Sequence, residues 1–215
     1  GWQSIGDVWY YFHEAGRMLT GWQMISGTWV YFDQYGHWIK SGVTCITGTG
    51  NKTKEEMISF YEKSGFDYPS DALGKGGAPT LESFVQMYIE EAEAEGIRSD
   101  VAFAQSMLET GYLQYGGDVQ IEQFNFAGIG AVGGGASGAS FADVRTGIRA
   151  HIQHLKAYAN SESLKNACVD PRFAYVARGS SPYVEWLGIK ENPEGRGWAT
   201  AKNYGFTIAT MLERM

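Results

Sequence analysis

The stretch Ala104-Gln105-Ser106-Met107-Leu108-Glu109-Thr110-Gly111 places one carboxylate at the end of a predicted helix, with Gly111 turning the chain just after it. A carboxylate at a helix C-terminus faces the negative end of the helix dipole, which opposes ionisation. Apolar neighbours such as Met107, Leu108 and Tyr112 would exclude water and raise its pKa further. An acid kept neutral in this way is the group that protonates a leaving sugar oxygen in glycoside hydrolysis. Other reactive side chains are less suggestive. Glu122 is a reserve carboxylate on a loop, and most loop carboxylates are simply solvated. His151 and His154 sit three apart on a predicted helix, without the four-residue spacing or third ligand of a zinc pair, and read as structural. Cys45 and Cys168 show neither metal-ligand spacing nor a Cys/His catalytic pattern; they either pair with each other or stay as buried thiols. No metal and no cofactor is expected.

The elements that must position Glu109 read as follows. The chain has 215 residues, 44 % hydrophobic and 19 % charged, enough for one enzyme-sized domain and a small module. A net charge of −7 without a Lys/Arg cluster excludes electrostatic capture of nucleic acid or of an anionic surface. No apolar run approaches the roughly 20 residues of a membrane span. The opening Gly1-Trp2 reads as a mature or trimmed piece of something longer. A helix is expected over about 54–63, and a long one after Thr80 with Leu81, Phe84, Val85, Tyr88 and Ile89 on one face. Gly96 closes that helix, and Ser99 or Asp100 starts the one that ends at Glu109. Glycine-rich residues 116–140 predict an irregular lobe with a β-hairpin over a cleft. The stripe Val144, Ile148, Ile152, Leu155 restores a helix, and further helical stretches are expected over 163–176 and 203–215. Arg178, Tyr183 and Trp186 are candidates to line a sugar groove.

Residues 1–42 repeat at an offset of twenty. Gly1-Trp2-Gln3-Ser4-Ile5 returns as Gly21-Trp22-Gln23-Met24-Ile25, and Trp9-Tyr10-Tyr11-Phe12 as Trp29-Val30-Tyr31-Phe32. Alternation along each unit predicts a short β-hairpin that must stack on its neighbours to bury its rings. These motifs resemble the cell-wall-binding repeats of choline-binding type. The resemblance implies that Trp2, Trp9, Tyr11, Trp22, Trp29 and Tyr31 box a choline ammonium or stack on sugars of a wall polymer. The residues themselves leave open that the rings are only hairpin core. Gly, Thr and Ser from residue 43 to 53 read as a linker.

Four features after the linker resemble the glucosaminidase family, glycoside hydrolase family 73, on a lysozyme-like helical core. They are the Ala104–Gly111 helix end, Phe124-Asn125-Phe126-Ala127-Gly128-Ile129, Ser140-Phe141-Ala142-Asp143, and Trp198-Ala199-Thr200-Ala201-Lys202-Asn203-Tyr204-Gly205. The resemblance implies Glu109 as catalytic acid, Tyr204 as active-site tyrosine and Asp143 as second carboxylate. Asn125, Phe126, Tyr112 and Trp198 become candidate substrate contacts. Three positions depart from the family pattern, namely Asp143 in place of Glu, Trp198 in place of Tyr and Ala201 in place of Asp. Asp143 could activate water if the two carboxyls stand roughly 6.5–9.5 Å apart. It could equally be the N-cap of the helix that follows. As the alternative to water activation, the substrate's own 2-acetamido group attacks, with Tyr204 and Asp143 orienting it. Asn125 is also suited to tying its loop by side-chain hydrogen bonds.

The expectation is an α+β chain: two β-hairpin repeats over 1–42, a linker over 43–53, and a mostly α-helical lysozyme-like catalytic domain with a small β-rich lobe over 54–215. Its expected function is that of a secreted, wall-associated endo-β-N-acetylglucosaminidase acting on peptidoglycan. A muramidase or lytic transglycosylase on the same fold, or a non-catalytic glycan-binding protein, are the alternatives.

Overall fold

The computed structural model describes residues 1–131 and 137–215. It begins with two hairpins. β1 (Trp2–Ile5) pairs with β2 (Val8–Tyr11), and β3 (Gly21–Ile25), β4 (Thr28–Phe32) and β5 (Trp38–Ser41) form an antiparallel three-stranded sheet. Both hairpins close on two residues with positive φ, Gly6-Asp7 and Ser26-Gly27, the type I′ geometry that matches strand twist.

Six helices follow. α1 (Lys54–Glu62) is closed by a Thr53/Glu56 capping box, α2 (Ser70–Leu73) is a single turn, and α3 (Leu81–Glu95) runs from the Thr80 cap to Gly96 in the left-handed region. α4 (Ser99–Thr110) carries Glu109 and ends at Gly111, also left-handed. α5 (Val144–Ala159) and α6 (Tyr204–Arg214) complete the set. Their apolar faces share one core around Phe84, Tyr88, Phe103, Met107, Ile148 and Ile208, and α1 belongs to it through Met57, Phe60 and Tyr61. The chain is thus α+β with a helical C-terminal part, as its sequence indicates.

Three local expectations change. Residues 43–53 are packed rather than a free tether: Ile46 is fully buried, its N–H donates to Pro182 O and its carbonyl accepts from Arg98, while Asn51 N–H donates to Asp100. Residues 163–176 form no helix apart from a 3-10 turn at Phe173–Tyr175. The reason is that side chains from elsewhere take the backbone donors a helix would use. Glu95 accepts from Lys165 and Asn166, and Gln153 accepts from Val169 and Asp170. The lobe between 116 and 140 carries no strand among its described residues, only a 3-10 turn at Ile121–Gln123; the rest of the expected hairpin, 132–136, lies outside the described residues.

Gly147 lets this lobe dock on α5, because a Cβ there would strike the Phe124 carbonyl. Gly205 does the same for α6, where a Cβ would strike the Val184 carbonyl. Cys45 and Cys168 are free and exposed, so neither the pairing nor the burial considered for them is found.

Lys156 and Glu95 form a fully buried ion pair, Nζ–Oε2 2.9 Å, which fastens α5 to α3 and to the 165–166 backbone. Burial alone would raise the Glu95 pKa, yet the N–H groups of Asn166 and Lys165 and the Lys156 ammonium bring it below the usual range. Removing one partner of such a pair leaves an uncompensated buried charge. Lys156→Leu should therefore cost about 3 kcal/mol or more, seen in thermal melts as a Tm loss of roughly 6–12 °C. An unchanged Tm would show that the backbone donors alone satisfy Glu95.

Candidate active site

Glu109 stands in the last turn of α4, half-buried, on the wall of a cleft of about 350 Å³. The 127–131 loop forms one side of the cleft, with Trp198 and Ala199 on another. His154 and Tyr158 of α5 and the Arg172–Val176 segment complete it. The Tyr204 hydroxyl, ninety-five positions away in sequence, donates to Glu109 Oε1. Asn203 takes up the left-handed region and donates its N–H to Glu191 at 2.8 Å, which sets the start of α6 and aims Tyr204 inward.

Burial raises the Glu109 pKa above the ordinary carboxyl value, opposed in part by hydrogen bonding from Tyr204 and then from Trp198. Tyr204 is pushed well above its own ordinary value by burial and by the adjacent Glu109, so it keeps its proton and can only donate toward the carboxylate. The other oxygen, Oε2, lies beside Gly128, where an added Cβ would come within 3.6 Å of it. One oxygen is therefore held by the fold and the other faces the cleft, the arrangement a general acid requires.

Asp143 sits elsewhere. It is the exposed N-cap of α5, its Oδ1 accepting from Thr146 N–H at 2.7 Å, and it is not among the residues that line the cleft. Of its two readings, helix capping is the one the geometry displays. Glu122 is exposed and also off the cleft. Asn125 is buried with its amide saturated: Nδ2 donates to the Ile129 and Ala139 carbonyls at 2.9 and 3.0 Å, and Oδ1 accepts from Ile129 N–H at 3.0 Å. It shapes the cleft loop and has no group left for a sugar. Phe126 is core, packed on Phe84, and Tyr112 packs on Phe60 and Tyr61 behind the site. Trp198 does line the cleft, edge-on to His154.

Tyr158, Arg172 and Tyr175 line the cleft with no motif in the sequence to mark them, and His154, which reads as structural from the sequence, lines it too. His154 Nδ1 lies 2.7 Å from Oδ2 of the buried Asp170, and Tyr158, Arg172 and Tyr175 share the cleft with it, the Arg172 guanidinium 4.6 Å from the Tyr175 ring centre. The spacing of His151 and His154 on one helix was the only hint of any of these. Arg178, by contrast, is tied to the Asn160 and Glu162 carbonyls, and Trp186 is taken up by the repeats.

The hairpin rings divide into two groups. Trp22, Trp29 and Tyr31 pack against Trp186 and Phe206 of the helical part, with Trp22 stacked on Phe206 at 5.9 Å and only 9 % exposed. Lys40 adds an ion pair to the buried Glu185 at 2.6 Å. Trp2, Trp9 and Tyr11 instead cluster with Trp38 on the outer side, where Trp2, Trp9 and Trp38 are 42 %, 47 % and 43 % exposed. Trp38 has no aromatic counterpart in the first unit, where Met18 occupies the matching place.

The profile of the glucosaminidase family, described as mannosyl-glycoprotein endo-beta-N-acetylglucosaminidase, matches residues 85–215, and the chain belongs to this family. The choline-binding repeat matches residues 1–41. An uncharacterized protein of Borreliella burgdorferi is 47 % identical over 132 residues, covering 61 % of this chain and 61 % of that protein. The matched domain is thus of glycoside hydrolase type, preceded by choline-binding-type repeats. No described helix is long and apolar enough to cross a membrane.

Because the folded state holds the Glu109 proton more tightly than the unfolded chain, the sign of its pH effect is fixed. The contribution is favourable at low pH and is lost as pH rises through the raised folded value. Glu109→Gln removes that loss. Calorimetric melts should show equal Tm for both proteins near pH 4 and a higher Tm for Glu109→Gln at neutral pH. A lower Tm for the variant at neutral pH would mean that the carboxylate is held ionised.

Proposed function

We propose that this chain is a secreted, wall-associated peptidoglycan hydrolase that cuts β-1,4 bonds as an endo-β-N-acetylglucosaminidase, with Glu109 as general acid. The observation that carries this reading is the half-buried Glu109 carboxyl, fixed on one oxygen by Tyr204 and open to the cleft on the other. Breaking a bond between amino sugars passes through an oxocarbenium-like transition state, in which the leaving oxygen needs a proton. Glu109 supplies it, and the Tyr204 hydroxyl steadies the carboxylate left behind. Burial of Glu109 favours the neutral acid that this step needs.

The second half of the reaction falls to the substrate. Glu109 is the sole carboxylate among the described residues lining the cleft, and Asp143 is engaged at the α5 cap. This favours attack by the sugar's own 2-acetamido oxygen on the anomeric carbon, with water then opening the cyclic intermediate. Tyr204 and Trp198 orient the groups around it. Arg172 gives the cleft a cation suited to the carboxylates of a muramyl sugar or its peptide. The exposed cluster of Trp2, Trp9, Tyr11 and Trp38 suits a quaternary ammonium such as choline, or a wall-polymer sugar, through contacts worth about 0.5–2 kcal/mol per face.

A single acid also serves a lytic transglycosylase, in which a muramyl hydroxyl takes the place of water. Mass spectrometry of borohydride-reduced fragments released from purified peptidoglycan separates these outcomes. Reduced GlcNAc ends, absent with Glu109→Gln, are expected. Reduced MurNAc or anhydro-MurNAc ends would replace the proposal with a muramidase or a transglycosylase. No release at all, with wall binding retained, would leave a glycan-binding protein.

A further inference from the structure

Behind Glu109 runs a line of buried hydrogen bonds that joins four helices, α6, α4, α5 and α3. Tyr204 OH is 3.0 Å from Gln105 Nε2, Gln105 Oε1 is 3.0 Å from His151 Nε2, and His151 Nδ1 is 3.1 Å from Tyr88 OH. Gln105, His151 and Tyr88 are each fully buried. The orientation of one amide settles every direction along the line. Gln105 Oε1 can only accept, so His151 carries its proton on Nε2 and leaves Nδ1 bare. Tyr88 must then donate to Nδ1. At the other end Gln105 Nε2 can only donate, so it occupies the Tyr204 oxygen and leaves the tyrosine proton for Glu109 Oε1. Glu109 is thus an acceptor at Oε1, and its own proton resides on Oε2, the oxygen beside Gly128 at the cleft. Run in the reverse direction, the same line would place the Glu109 proton on Oε1, turned toward Tyr204 and away from any sugar.

We infer that His151, acting through Gln105, is a positioning residue that holds Tyr204 as a donor to Glu109 Oε1 and so reserves Oε2 for the proton given to the leaving sugar. The inference rests on Glu109 being the acid. His151 is suited to the task because it stays neutral. Burial, then the nearby His154, lower its pKa to about 3, so both ring nitrogens keep fixed roles across working pH. The titratable groups facing it are Tyr88 from α3 and His154 on its own helix, with Trp198 packed edge-on at 5.7 Å. Those sharing the cleft with Glu109 are His154 and Tyr158 from α5 and Arg172 and Tyr175 from the following segment, besides Tyr204 from α6.

Long-range proton–nitrogen NMR on the histidine-labelled protein reads the tautomer directly and needs no activity. The expected result is a neutral Nε2–H ring for His151 from neutral pH down to about pH 5. An Nδ1–H ring, or an imidazolium, overturns the inference even if Glu109 proves to be the acid. A second measurement is the pH profile of kcat on peptidoglycan for His151→Phe, His151→Gln and Gln105→Leu. Loss of the donor to Oε1 should move the basic limb to higher pH in His151→Phe and Gln105→Leu, lower kcat by roughly tenfold or more and leave KM unchanged. His151→Gln, which can still donate to Gln105, should recover both. A fall in kcat in step with Tm, with the basic limb unmoved, would reduce His151 to a packing residue. If the wild type released nothing, the tautomer would still decide the relay while the functional reading failed separately.

Discussion

The hydrogen bond from Tyr204 to Glu109 is the contact on which the rest of this molecule depends. It joins the last turn of α4 to the first turn of α6. A carboxyl left half-buried without a partner would swing or ionise, and one fully satisfied would have no oxygen to offer a substrate. The fixed Tyr204 donor on Oε1, supplemented by Trp198, avoids both outcomes while leaving the carboxyl on the cleft wall. Much of the surrounding packing reads as support for that one geometry. Gly205 lets α6 approach the Val184 backbone, Glu191 holds the start of α6, and Asn125 holds the loop that brings Gly128 against the free oxygen.

The same constraint accounts for how the two hairpins are used. The second hairpin gives its rings to Trp186 and Phe206, the latter on α6 only two residues from Tyr204, and Lys40 anchors its last strand to Glu185. Rings that match ligand positions in the repeat pattern thus serve here as the joint with the catalytic part. The first hairpin keeps Trp2 and Trp9 exposed, with Trp38 added from the second, while Tyr11 is half-buried among them. The second hairpin is therefore joined to the helical part by packed rings and an ion pair rather than by a free tether. The packed 43–53 segment reinforces this, since Ile46 lies in the core.

What the sequence disclosed, and what it concealed, follows the range of the interactions. Glu109 was legible because its setting is local: an apolar helix, a glycine stop and a glutamine one turn before. The helices α3, α4 and α5 and the two hairpins were legible for the same reason, through period, caps and turn residues. Asp143 was legible only as a choice between a cap and a catalyst, since both need a carboxylate at that point. Trp198 was legible from its motif, but the Arg172–Val176 side of the cleft was not, because the path of residues 165–172 is imposed by Glu95, Gln153 and Asp170, side chains that take up its backbone donors. Nor could the line from Tyr88 to Glu109 be read, since it assembles from α3, α4, α5 and α6 and leaves no spacing in any one of them.

The most direct test of the central claim is a crystal structure of Glu109→Gln soaked with a tetrasaccharide of alternating GlcNAc and MurNAc. The account places a glycosidic oxygen within about 3 Å of the residue-109 side chain on its Gly128 side, with Tyr204 still bonded to the other atom. A sugar bound in that cleft with its glycosidic oxygen beyond reach of residue 109, or seated elsewhere on the molecule, would contradict it.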